Sequence, residues 1–153
     1  MIRLRPVTAA DEPFLSRLYA STRTEELVPV PWSEEQKRSF LEMQFQAQSL
    51  HYAKHYRGGD FLVIENDAEP IGRLYIYRQP TDIRVVDIAL LPAYRGAGIG
   101  TKLLRDILGE GEATGKSVSI HVEDFNPAIR LYERLGFRRV HMHGVYHLLE
   151  WRA

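Results

Sequence analysis

The chain has 153 residues, 44% of them apolar and 26% charged, a length and balance that suit one globular domain spanning 1–153 and argue against disorder. Its 20 Lys and Arg are matched by 20 Asp and Glu, so it lacks the basic excess that draws nucleic acid or an anionic membrane surface. Cysteine is absent, which excludes disulfides, a thiolate nucleophile, thiolate-bound zinc and iron–sulfur clusters.

The opening Met1-Ile2-Arg3-Leu4-Arg5-Pro6 has no apolar core of signal-peptide length. No later run approaches the roughly 20 apolar residues of a membrane span, and a cytoplasmic location is expected. Residues 2–5 alternate apolar and charged and stop at Pro6, which predicts a short strand. A helix follows with Phe14, Leu15, Leu18 and Tyr19 on one face, and Pro13 in its first turn favours Asp11 over Thr8 as the cap. The segment from Arg23 to Trp32, mixing prolines and aromatics with acids, is expected to be a loop. Ser33-Glu34-Glu35-Gln36 has capping-box spacing, so a second amphipathic helix should run through Phe40, Leu41, Phe45, Leu50 and Tyr56 to Gly58-Gly59.

Residues 61–64 and 71–77 flank Asn66-Asp67-Ala68-Glu69-Pro70, a hairpin signal. Residues 85–91 form an apolar run broken only by Asp87, as in a strand covered on both faces. The run leads into Arg95-Gly96-Ala97-Gly98-Ile99-Gly100, and Leu103, Leu104, Ile107 and Leu108 then mark a helix that ends near Gly115. A strand over 118–123, a short helix over 127–135 stopped by Gly136, and strands near 137–141 and 145–151 complete the chain. Strands mixed with helices, only some of them in parallel crossovers, predict a mixed α+β sheet.

Closely spaced glycines between a strand and a helix let a ligand approach the backbone, and the helix start offers free N–H groups. An anionic ligand is implied. A phosphate-loop nucleotidase is excluded because Lys102 follows Gly100-Thr101 instead of preceding a Ser or Thr. A dinucleotide site competes, with Glu123 placed as a ribose-binding acid. Against it, the third glycine of a fingerprint begun by Gly96-x-Gly98 is missing, and 30 residues after Glu123 are too few for the rest of a doubly wound sheet.

The Arg95–Gly100 stretch, following Leu90-Leu91-Pro92, resembles the Arg/Gln-x-x-Gly-x-Gly/Ala motif of the GNAT superfamily of acetyltransferases. Asn126-Pro127-Ala128-Ile129-Arg130-Leu131-Tyr132-Glu133-Arg134-Leu135-Gly136-Phe137 is similar to that family's second coenzyme A segment. The order of elements resembles the family along the whole chain. This resemblance implies a three-layer α/β/α arrangement: a mixed, mostly antiparallel sheet of six to seven strands with about four helices, splayed between strands four and five. It implies acetyl-CoA as cosubstrate, no metal, and transfer of an acetyl group to an unidentified primary amine by direct attack.

The resemblance also assigns roles. Arg95, Gly96, Ala97, Gly98, Ile99, Gly100 and Thr101 would hold the pyrophosphate, Leu90 and Leu91 the pantetheine and thioester through main-chain groups, and Asn126 the pantetheine. Tyr132 would be the general acid. By spacing alone, Tyr132 is a helix residue packed on the sheet. Asp87 is a base candidate, although the family's catalytic acid usually falls nearer Arg84 or Asp82, and a pairing of Asp87 with Arg73 is the alternative. Glu26, with Glu25, is a candidate for attracting a cationic amine, with Trp32 as a cation–π face. His51 and His55 are read as surface residues, His141, His143 and His147 as solvent-facing, and His121 as a base worth testing. The closing strands offer an edge for a homodimer. A non-catalytic acyl-CoA-binding domain and a dinucleotide-dependent oxidoreductase are the competing functions.

Overall fold

A computed structural model describes all of residues 1–153. Seven strands form one sheet: β1 (Ile2–Pro6), β2 (Asp60–Asn66), β3 (Glu69–Arg78), β4 (Asp82–Leu90), β5 (Ser117–Glu123), β6 (Arg138–His143) and β7 (Tyr146–Trp151). Their order is β1-β2-β3-β4-β5-β7-β6. Four α-helices accompany them: α1 (Glu12–Leu27), α2 (Glu34–His55), α3 (Ile99–Thr114) and α4 (Ile129–Arg134). The numbers of strands and helices agree with the expected mixed sheet. β4 and β5 are parallel, whereas β1–β2, β5–β7 and β6–β7 are antiparallel.

The chain divides into two compact units, one of residues 1–73 and 89–95, the other of residues 74–88 and 96–153. In the first, Phe14, Leu15, Leu18, Tyr19, Phe45 and Val63 form the core, with Val7, Leu41, Ala89 and Leu91 packed against it. The start of α1 is fixed by charge. Arg5 makes a two-pronged contact with Asp11 at 2.7 and 2.8 Å and reaches Glu65 at 2.8 Å, while the Thr8 N–H donates to Asp11. Asp11 lies before Pro13 as expected, and Ser33 and Gln36 close the expected capping box of α2. The turn from β2 to β3 is a two-residue one at Asp67 and Ala68, both at positive φ, the geometry that matches strand twist in tight hairpins.

Residues Arg23–Leu27 are the last turns of α1, where a loop was expected. No proline interrupts them before Pro29. Ser21, Thr22 and Thr24 hydroxyls donate to carbonyls one turn back, which satisfies them inside the helix, and Arg23 pairs with Glu26 at 3.1 Å as i,i+3 support for the last turn.

In the second unit α3 lays Leu103, Leu104, Ile107 and Leu108 into the core with Val118, Ile120, Val122 and Leu149. Gly111 sits where a Cβ would meet Lys116 O, Trp151 and Val118 at 3.0 Å, so α3 packs close to β5. Registered pairs between β4 and β5 run only from Asp82↔Ser117 to Val85↔Ile120, yet β5 continues to Glu123. The two strands therefore part after Val85 and Ile120. β4 is mostly half-buried along its length, where burial on both faces was expected.

Candidate active site

Gly96 (φ 76°) and Gly98 (φ 83°) take left-handed conformations, and a Cβ at either would meet nothing within 4 Å. Glycine is required there by backbone conformation and not by crowding. The space over the loop main chain is open to a ligand. Gly98 caps α3, whose first internal bond is Lys102 N–H to Gly98 C=O at 3.0 Å. The N–H groups of Ile99, Gly100 and Thr101 have no carbonyl one turn back, which leaves a cluster of donors at the positive end of a four-turn helix. Arg95, just before them, is exposed and its Nε donates to the Leu90 carbonyl at 2.9 Å.

The end of β4 approaches β3 closely at Gly72. A Cβ on Gly72 would lie 2.3 Å from Ala89 O and 2.8 Å from the Leu90 side chain, so only glycine lets β4 pass. Gly72 belongs to neither glycine motif of the sequence, and an isolated glycine inside a strand pattern is the signal for such an approach. Beyond it, Leu91 N–H donates to Ile71 O at 2.8 Å and Leu91 C=O accepts from Tyr94 at 2.9 Å. Three main-chain groups expected to be open at Leu90 and Leu91 are thus engaged by Ile71, Tyr94 and Arg95.

On the α4 side, Asn126 Oδ1 accepts from Ala128 N–H at 2.9 Å, which shapes the turn into α4 and leaves the side-chain NH2 as its donor group. Tyr132 is buried, with its ring edge-on to Phe137 at 5.9 Å. Its phenol is pushed up to about 12, first by burial and then by the negative charge of Asp87. That electrostatic link brings Asp87 and Tyr132 into one neighbourhood.

Glu26 lies on the final turn of α1, paired with Arg23. Trp32 stands edge-on to Phe40 at 5.1 Å. His51 and His55 are exposed on α2 with rings 4.3 Å apart. Of the three histidines read as solvent-facing, His141 and His143 are exposed, but His147 is buried, with Nε2 2.6 Å from Asp124 Oδ1. The correction follows from register. His147 pairs with Val122 and Met142, whereas His141 pairs with Leu148, so His147 points to the opposite face, the one lined by buried Val122. His121 Nδ1 lies 3.1 Å from Arg84 Nη1.

Residues 16–137 match the model of the acetyltransferase (GNAT) family. Among curated proteins, the mycothiol acetyltransferase of Corynebacterium glutamicum is 32% identical over 118 residues, 75% of this chain and 39% of that protein. The N-alpha-acetyltransferase RimI of Mycobacterium tuberculosis is 36% identical over 97 residues, 61% of this chain and 58% of its own. The match thus spans less than two thirds of either relative. Among solved structures, the PaiA N-acetyltransferase of Thermoplasma acidophilum in complex with coenzyme A superposes over 100% of this chain and 99% of its own with a TM-score of 0.75 at 18% identity, a likeness of fold.

Proposed function

The chain belongs to the acetyltransferase (GNAT) family, and from that membership we propose that it transfers an acetyl group from acetyl-CoA to a primary amine of a small molecule or peptide. The observation that carries this reading is the open loop of Gly96 and Gly98 running into the free N–H groups of α3. Backbone donors at a helix start suit a pyrophosphate, and no side chain crowds the approach. Acetyl-CoA supplies an acetyl group already activated as a thioester.

The chain has no cysteine to carry the acetyl group, and direct attack of the amine on the thioester, without a covalent enzyme intermediate, is the simplest route. Arg95 to Thr101 hold the pyrophosphate, and the Asn126 NH2 donates to the pantetheine. Asp87 takes the proton from the incoming ammonium. The Tyr132 Oη holds a proton at neutral pH because burial and Asp87 oppose its loss; it gives that proton to the departing sulfur as the C–S bond breaks, and the second proton lost by the acylated nitrogen restores the phenol. Glu26 carries no step in this scheme, since its carboxylate is already met by Arg23.

Two acetyltransferase relatives point to different acceptors, one named for mycothiol and one for an α-amine. Calorimetric titration separates the readings of the loop: acetyl-CoA should bind saturably and NAD should not, and the reverse order of affinity would return the loop to a dinucleotide.

A further inference from the structure

One face of the parallel pair β4–β5 carries a hydrogen-bonded series in which every polar group is placed by its neighbour. Ser117 Oγ donates to Asp82 Oδ1 at 2.8 Å and Ser119 Oγ to Asp82 Oδ2 at 2.5 Å. Both serines are buried. Arg84 Nε then donates to Ser119 Oγ at 2.7 Å, and Arg84 Nη1 lies 3.1 Å from His121 Nδ1. His121 is the first residue of β5 beyond the last registered pair with β4, Val85↔Ile120, so the series ends where the two strands part.

A guanidinium has donors only. The His121 nitrogen facing it must accept, which puts the ring proton of the neutral imidazole on Nε2. His121 is exposed, and Nε2–H lies on the side of the ring away from Arg84. A general base needs a bare nitrogen turned to its substrate. Here the bare nitrogen is covered by Arg84, and the outward nitrogen already carries hydrogen, so His121 is built as a donor.

The surroundings favour an anion for it. Directly paired residues share a face, so the row His121↔Leu148↔His141 across β5, β7 and β6 places His141 on the same side, and His143 follows two residues on. Partial desolvation of the ring, the charge of Arg84 and the charge of His143 all disfavour a proton on His121. The facing acids are accounted for as follows. Asp82 takes the two serine hydroxyls and Glu150 is held by Arg152 at 2.6 Å, while Glu123 shares the face one row on, in line with Tyr146 and His143 and on the side of His121 away from Ser119.

We propose that Arg84 and His121 form a donor-only subsite that holds a carboxylate of the amine acceptor, with the neutral His121 ring giving its Nε2–H to that group. The proposal rests on the reading of the chain as an amine acetyltransferase, and it narrows the acceptor to one bearing a carboxylate as well as an amine.

Nitrogen-15 NMR of the imidazole rings, with coenzyme A present, tests it without turnover. At pH 7 His121 Nδ1 should show the shift of an unprotonated nitrogen and Nε2 that of an N–H. Acetate and glycylglycine should shift the ring saturably and raise its pKa, since an anion favours the charged ring, while glycylglycinamide should not. Kinetically, His121→Ala should raise the KM for glycylglycine about tenfold with kcat retained, the scale of one charge-assisted hydrogen bond. His121→Gln, which keeps a donor near the Nε2 position, should restore most of that loss. A proton on Nδ1, equal shifts with glycylglycinamide, or no shift with either carboxylate would overturn the subsite. So would a hundredfold fall in kcat for His121→Gln, the mark of a base. The acetyltransferase reading fails separately, by absence of thiol release with every amine.

Discussion

At the scale of single residues, Gly98 and Tyr132 make the most direct claims. Gly98 holds φ 83° with open space around it, so Gly98→Ala meets no clash. It does force a side chain into the left-handed region, at about 1 kcal/mol, and it puts a methyl over the donors of α3. Acetyl-CoA affinity measured by calorimetry should fall roughly tenfold or more, the equivalent of about 1.4 kcal/mol, with the melting temperature lowered by roughly 2–4 °C. For Tyr132, the folded phenol is raised to about 12, so the group stays protonated, and competent as an acid, throughout the range in which the protein can be assayed. The kcat profile should accordingly show no alkaline limb from this residue below about pH 11, whereas Tyr132→Phe should lose roughly a hundredfold in kcat and keep its acetyl-CoA affinity. Asp87→Asn, measured the same way, should lose a comparable factor if it takes the amine proton.

Elements show where local signals and tertiary context agree or part. The capping box at Ser33 and Gln36, the prolines and the glycine pairs are legible as punctuation, and α2, α3 and the strands fall close to their expected positions. The end of α1 is not, because its Ser, Thr, Arg and Glu residues, satisfied within the helix by Thr24–Ala20 and Arg23–Glu26, look the same in sequence as loop chemistry. His147 was misplaced because facing depends on the register of β7 against β5, a long-range property. At the site, the glycine loop could be read directly. The close pass at Gly72 and the Arg84–His121 contact could not, since both arise between residues that only the sheet brings together. Gly72→Ala should be among the costliest single changes: its Cβ would lie 2.3 Å from a carbonyl oxygen, and chemical denaturation should show a loss of roughly 2 kcal/mol or more.

For the molecule as a whole, stability against acid should depend on the knot that ties β1 and β2 to the start of α1. Arg5 and Thr8 hold the Asp11 carboxyl well below its ordinary range. A carboxyl whose folded pKa is depressed contributes its stability above the unfolded value, near 3.8, and loses it as the pH falls toward the folded one. Asp11→Asn should therefore cost roughly 2 kcal/mol at pH 7 by urea denaturation, because it leaves Arg5 short of a partner, and the gap from the unmodified protein should narrow steadily below pH 4. A gap independent of pH would mean that Asp11 acts through packing alone. Function at this scale is a claim about one reaction, and release of the coenzyme A thiol from acetyl-CoA across a panel of primary amines tests it most directly. We expect release that depends on the amine and saturates with it, matched mole for mole by acetylated product; saturable binding of acetyl-CoA with no amine-dependent release would show a binding domain instead of an acetyltransferase.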